Sequence, residues 1–221
     1  MTAPAAGAGG GRCAILIPAK DEAQRVGRVV AVALEADRGP VLVVDDGSTD
    51  ATARVADGAG AETLRLPENL GKGGALRAGA EHLAQEVLVL LDADLVGLRP
   101  EHVHALADPV LAGEVEMTRG VFAGARWSTT AAQRLAPQLG GQRGLLRARL
   151  LEVEGLENAR YGVEVRIEDA AHDRDWTWRD VPLPGVSQIT KEEKLGWWRG
   201  VLGRLGMYRD IVRSWWSSSR S

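Results

Sequence analysis

Val87-Leu88-Val89-Leu90-Leu91-Asp92 decides the reading of this chain. An unbroken apolar run closed by an acid describes a strand buried on both faces with a polar group at its carboxyl end. Such strands belong to parallel sheets, which need a crossover helix between neighbours. The sequence upstream supplies the pieces. Gly73–Gln85 has helical spacing, and Glu62–Leu66 reads as a weaker strand. Further back stand two more apolar strands, Val41–Asp45 and Cys13–Pro18 (CAILIP). Asp21–Ala36 carries Val26, Val29, Val30, Ala33 and Leu34 at helical spacing and is stopped by Gly39-Pro40. Ser48 or Thr49 can cap a helix running to about Gly58. The alternation predicts an α/β fold: a right-handed, Rossmann-like, mostly parallel sheet flanked by helices on both faces.

Beyond Asp94 the pattern is less regular. Pro100–Leu111 and Thr129–Leu139 read as helices, and Glu114–Val121, Val163–Ile167 and Trp176–Val181 as strands. Leu145–Leu151 is apolar and arginine-rich, and Leu195–Trp216 forms a C-terminal amphipathic helix. With 221 residues the chain suits one domain plus an extension, at about 150 residues per domain. The expected division is a loose N-terminal arm over 1–11, a domain over 12–190 and a tail over 191–221. No apolar run approaches a bilayer span, and the opening MTAPAAGAGG lacks the features of a signal peptide. One cysteine, Cys13, excludes an internal disulfide framework and a cysteine-rich zinc site. A net charge of −3 gives no case for nucleic-acid binding. These features describe a soluble, cytoplasmic domain.

The chemistry gathers where strands end, which is where ligands bind in a parallel α/β sheet. The first strand runs into Pro18-Ala19-Lys20-Asp21-Glu22, the second into Asp45-Asp46-Gly47-Ser48-Thr49-Asp50, and the fourth into Asp92-Ala93-Asp94. Single acids there are ordinary turn chemistry. Carboxylates clustered at neighbouring strand ends need a cation, hydrogen bonds or solvent to offset their repulsion. Alternating carboxylates such as Asp92 and Asp94 suit a hard divalent cation, which prefers oxygen ligands and can bridge two phosphates. Gly71-Lys72-Gly73-Gly74 opens a helix, where glycines permit close approach, the helix terminus favours an anion, and Lys72 adds positive charge. It is not a Walker loop, because Gly73 stands where that motif needs Ser or Thr.

The ordered set IPAKDE, VVDDGSTDAT, ENLGKGGALRAG and LLDADL resembles the nucleotide-sugar-binding half of family 2 glycosyltransferases of the GT-A fold. It covers Ala14–Asp94 nearly without gaps, and polyprenyl-phosphate sugar synthases and glucosyl-3-phosphoglycerate synthases are similar members. The resemblance implies a metal-dependent hexosyltransferase moving a sugar from a UDP- or GDP-linked donor to a phosphate-bearing acceptor, with polyprenyl phosphate as one candidate. It implies that Pro18, Ala19, Lys20, Glu22, Asp45 and Asp46 hold the nucleoside, with Lys72 beside its phosphates. Asp92 and Ala93 would meet the sugar or ribose, and Asp94 would ligate Mg²⁺ or Mn²⁺. Asp21 stands where the family often has Asn.

In the acceptor half, Gly140–Leu146 (GGQRGLL) resembles the family's acceptor-lining segment, which makes Gln142 and Arg143, read on a glycine-flanked turn, acceptor-binding candidates. Tyr161–Val165 (YGVEV) is similar to the G-V-E-[IV] stretch of the phosphoglycerate enzymes, so Glu164 joins Asp92 and Asp94 as a catalytic candidate, an acid–base or acceptor-orienting group. The family tends to place a late histidine on the metal; in that region this chain has Gln188, the second metal-ligand candidate, and His172, the nearest histidine, lies well before it. Transfer to a soluble acceptor is the alternative within the family. A sugar-phosphate nucleotidyltransferase is the alternative outside it, although its basic glycine-rich loop would sit where this chain has the acidic PAKDE. The Asp92–Val96 match to a haloacid-dehalogenase motif falls on the wrong strand, and a receiver domain has about half this length.

The tail is distinct. Lys191–Ser221 carries seven basic against three acidic residues, and six of the seven tryptophans lie between Trp176 and Trp216. Leu195, Trp198, Val201, Leu202, Leu205, Tyr208 and Ile211 share one face of the predicted helix. Such a helix suits peripheral contact with the inner face of a membrane. It equally suits packing on its own sheet or in a homodimer, and its four glycines mean that it needs a partner.

Overall fold

The computed structural model describes residues 11–123, 141–159 and 162–188. The N-terminal arm, the helix expected over Thr129–Leu139 and the basic tail lie outside them.

The elements run β1 (Cys13–Ala19), α1 (Val26–Glu35), β2 (Val41–Asp45), α2 (Thr52–Gly58), β3 (Glu62–Arg65), α3 (Gly71–His82) and β4 (Val87–Leu90). A short β5 (Leu95–Val96) leads to α4 (Pro100–Leu111) and β6 (Met117–Ala123). The second half continues with β7 (Arg143–Leu146), α5 (Arg147–Leu151), α6 (Val163–Asp173), β8 (Trp178–Pro184) and β9 (Ser187–Gln188). β3-β2-β1-β4-β7-β6-β8 form one seven-stranded sheet, and β5 pairs with β9 in a separate ribbon. β1, β2, β3 and β4 are mutually parallel, as are β6 and β8, and β7 alone runs against its neighbours. This is the mostly parallel, helix-flanked GT-A architecture that the sequence predicts.

Burial on both faces explains the apolar runs. In β1, Cys13, Ile15 and Ile17 face a layer built with Val26, Val29 and Val30 of α1 and with Val103 and Leu106 of α4. Ala14 and Leu16 face the opposite layer, with Leu76 of α3, Leu150 of α5 and Val163 and Ile167 of α6. Ile15, Leu16 and Ile17 are each wholly enclosed, and burying such a side chain contributes about 1.5–3 kcal/mol.

Three expectations need correction. Val163–Ile167 is not a strand but the first turns of α6. Val163, Val165 and Ile167 imitate a period of two, yet the buried set is Val163, Ile167 and Ala171, a helical stripe, with Val165 exposed. Neither Ser48 nor Thr49 caps α2; the Ser48 hydroxyl accepts from Asp21 N, and Asp50 accepts from Thr52 N instead. Arg143 lies on a strand rather than on a glycine-flanked turn. β5, β7, α5 and β9 are not among the expected elements, and elsewhere the differences are boundary shifts, as for β6 and β8.

The one reversed strand carries the site. Register Leu90↔Arg143 between β4 and β7 sets the start of β7 beside the carboxyl end of β4. A segment from the second half of the chain thereby meets the strand ends of the first.

Candidate active site

The loops after β1 and β2 are stitched into one wall. Asp46 N donates to the Ala19 carbonyl at 2.9 Å, and Lys20 donates to the Gly47 carbonyl. Asp21 Oδ1 accepts from Thr49 N at 2.8 Å, and Glu22 N donates to the Thr52 hydroxyl at 2.8 Å. Asp50 accepts from Ala23 N and Asp45 from Ser48 N. Asp21 takes a left-handed backbone (φ 53°) to make this join. Pro18, Ala19, Lys20, Glu22 and Asp45 therefore stand together at the carboxyl ends of β1 and β2, and much of the acidic charge is absorbed by backbone amides.

Asp46, expected at the nucleoside, has partners within the chain. Its carboxylate accepts from Leu70 N at 2.6 Å and Gly71 N at 2.9 Å, the free amides that open α3. The anion favoured at this helix terminus is thus supplied by the chain itself. Burial raises the Asp46 pKa, against the lowering effect of these two amides. The glycine after Lys72 likewise serves the protein's own packing. A Cβ on Gly73 would lie 1.8 Å from the Leu156 carbonyl oxygen, so α3 can approach the short 3-10 turn Leu156–Asn158 only with glycine there.

Lys72 is held at the centre. Its Nζ lies 2.6 Å from Asp92 Oδ1 and 2.5 Å from Glu164 Oε1, and both carboxylates are largely enclosed. Burial would lower the lysine pKa, but the two carboxylates reverse this and hold it above the usual range. Glu164 is burdened by burial too, yet Lys72 keeps its pKa below that of an ordinary glutamate. Lys72 and Glu164 are therefore both ionised at neutral pH. Asp92 Oδ2 also accepts from Gln142 Nε2 at 2.8 Å. Gly141 backs directly onto the Asp92 carboxylate, where a Cβ would collide. The candidates Lys72, Asp92, Gln142 and Glu164, drawn from four places in the chain, meet at one point.

Arg143 is brought near but enclosed. It is fully buried, its guanidinium donating to Glu168 Oε1 at 2.7 Å and to the Glu164 carbonyl at 3.4 Å. A bidentate contact with an acceptor phosphate requires that ion pair to open. Ala93 is buried and Asp94 half-buried in the turn leading to β5. The register Leu95↔Gln188 places the backbone of Gln188 beside the residue that follows Asp94. Among the described residues no three His, Cys, Asp or Glu side chains converge as a metal cage.

Sequence reasoning missed Gly141, Glu168 and Arg119. Glu168 follows Glu164 by one helical turn, a signal readable only once the segment is known to be helical. Arg119 shows no local signal, because its significance comes from the cross-strand register with Arg143.

Comparison with known proteins identifies the family. Residues 14–157 fit the model of the family described as Glycosyl transferase family 2. Glycosyltransferase AglD of Haloferax volcanii is 27% identical over a 248-residue alignment, taking in 96% of this chain and 38% of the relative. A 4,4'-diaponeurosporenoate glycosyltransferase of Staphylococcus aureus is 34% identical over 98 residues, 42% of this chain and 26% of that protein. The chain thus spans well under half the length of both relatives. Glucosyl-3-phosphoglycerate synthase from Mycobacterium tuberculosis, crystallised with Mn²⁺, UDP and glucosyl-3-phosphoglycerate, superposes with a TM-score of 0.68 at 24% identity, over 81% of this chain and 72% of that one. The same enzyme with Mg²⁺ and UDP gives 0.67 at 25% identity, with the same coverage. The family match takes in the stitched strand ends, the Lys72 turn, the Asp92-Ala93-Asp94 step and the Gln142–Arg143 segment, and on that ground the chain belongs to glycosyl transferase family 2.

Proposed function

We propose that this chain transfers a sugar from a UDP- or GDP-linked donor to a phosphate-bearing acceptor with the help of Mg²⁺ or Mn²⁺. The observation that carries the reading is the Asp92–Lys72–Glu164 junction, where the donor-side strand ends and an acceptor-side helix share one cation. Pro18, Ala19, Lys20, Glu22 and Asp45 form the wall for the nucleoside. Asp92 and Ala93 face the sugar or ribose, and Gln142, with Arg143 behind it, belongs to the acceptor side.

The donor set suits a hard divalent ion held mainly by its ligand. Asp94, the second of the alternating carboxylates past the end of β4, is the carboxylate proposed for the metal. Mg²⁺ is commonly held by one or two carboxylates with water and substrate phosphate oxygens, and Gln188 is the proposed second protein ligand. When bound, the ion would offset the charge that builds on the departing diphosphate. Glu164, held ionised with a lowered pKa, is a weak general base at neutral pH. That favours an acceptor that is already a nucleophile, such as a phosphate monoester, over a hydroxyl. Polyprenyl phosphate has this chemistry. Transfer to a hydroxyl of a soluble phosphorylated acid would need a carboxylate, Glu164 or Asp169, to orient the hydroxyl and take up its proton.

Among the described residues no helix is long and apolar enough to cross a membrane. The basic, tryptophan-rich tail over 195–216 would give a cytoplasmic enzyme its peripheral contact with the inner face, or else a homodimer contact. The central test is thermal stability with UDP-glucose or GDP-mannose, each with and without Mn²⁺. The expected result is nucleotide-sugar stabilisation that needs Mn²⁺ and is lost in Asp94→Ala. Cation-independent stabilisation, or stabilisation unchanged in the variant, overturns the assignment.

A further inference from the structure

We propose that Glu168 is a positioning residue for Glu164, acting through a two-arginine clamp that seats the start of α6 against the sheet. The inference deepens the reading above and rests on it for the role of Glu164.

Three adjacent strands present charged residues at one level. Arg143 on β7 stands opposite Arg119 on β6, and Arg119 stands opposite Asp180 on β8. Directly opposed residues share a sheet face, so the two guanidinium groups are neighbours and repel. Asp180 answers only the outer one, by paired contacts of 2.7 and 2.9 Å to Arg119. Glu168 comes down from α6 between them. Its Oε1 accepts from Arg143 at 2.7 Å and from Arg119 at 3.2 Å. Arg119 is also braced by the Trp178 ring, 4.6 Å from its guanidinium carbon.

The clamp acts one turn beyond the residue it serves. Residues four apart on a helix lie on the same face, so the sheet contact that seats Glu168 also sets the height of Glu164. Arg143 reinforces this by reaching the Glu164 carbonyl. Glu164 then meets Lys72 from α3 at 2.5 Å. α6 begins at Gly162, which has a left-handed backbone (φ 90°), and no side chain caps the helix. Its first turn therefore depends on contacts of this kind.

The test is the titration of Glu164 in the full chain, followed by carboxyl-carbon NMR on glutamate-labelled protein and assigned with Glu164→Gln. The groups facing Glu164 are Lys72 from α3, with Asp92 behind it, Arg143 from β7, and Glu168 on its own helix. In Glu168→Gln a pure charge effect lowers the Glu164 pKa further, because a neighbouring negative charge is gone. Loss of positioning raises it, because Glu164 drifts from Lys72; a rise of about one unit is expected, the lower end of what a close opposite charge supplies. Glu168→Asp keeps the charge and shortens the reach, so a rise there is geometric, and it serves if the glutamine variant does not fold. A Glu164 pKa that stays or falls in the folded variants overturns the proposal, even if melting temperature drops. No substrate enters this measurement, so its failure is separate from a failure of Mn²⁺-dependent nucleotide binding.

Discussion

Gly141 lies against Asp92 so closely that a Cβ placed on it would stand 2.6 Å from the carboxylate. The same Cβ would also meet Lys72 Nζ, so it would crowd the Lys72–Asp92 ion pair from the β7 side. Gly141→Ala should therefore push apart the start of β7 and the end of β4, at a cost of about 1–3 kcal/mol for overpacking. Nucleotide-sugar stabilisation is expected to vanish while most of the melting temperature is kept. Normal binding by the alanine variant would show that this approach is dispensable.

Lys72→Met tests the central ion pairs and their pH dependence. Glu164 has a lowered pKa, so its contribution is present above the ordinary glutamate value of 4.5 and fades as pH falls through the folded-state value. Lys72 has a raised pKa, so its contribution is complete below 10.5 and fades only at higher pH. The wild type should hold a stability plateau between these limits. The methionine variant leaves two enclosed carboxylates facing one another, a loss of about 3–5 kcal/mol at pH 7. Acidification towards pH 5 should restore part of that loss by protonating one of them. Denaturant midpoints across this range decide the matter; a variant that does not regain stability on acidification contradicts the pairing.

Asp46→Ala should behave as loss of a helix cap. The carboxylate serves Leu70 N and Gly71 N, and removal of such a cap costs about 0.5–2 kcal/mol. The loss is expected in urea unfolding of the ligand-free protein. Unchanged ligand-free stability combined with weaker nucleotide binding would move Asp46 to the nucleoside instead.

Cys13 should be silent towards alkylating reagents. It is buried in β1, and burial pushes its thiol pKa up to about 12, so little thiolate exists at neutral pH. Labelling by iodoacetamide at pH 8 should wait for global unfolding and accelerate with denaturant along the unfolding curve. Rapid labelling of the native protein would mean that β1 opens locally.

What the sequence determined by itself is local and periodic. The runs Cys13–Pro18, Val41–Asp45 and Val87–Leu91 announce strands because burial on both faces leaves no room for polar residues. Acids at their ends announce the site, because a parallel sheet presents its carboxyl ends to ligand. Those signals sufficed for β1 to β4, the helices between them and the acidic strand ends. Tertiary structure decided the rest. Glu164 lies 92 positions from Lys72, and no spacing rule links them. Only the reversed strand β7 and the seating of α6 bring them together. Val163–Ile167 fits a strand and a helix equally well until the neighbouring layer selects the helical stripe Val163, Ile167 and Ala171. The partners of Asp46 are likewise invisible in a linear reading, because an acid before a helix can serve a ligand or the helix itself. The physical reason is the same in each case: a charged group's role depends on which other charges the fold sets within a few ångströms, and that distance is a property of packing.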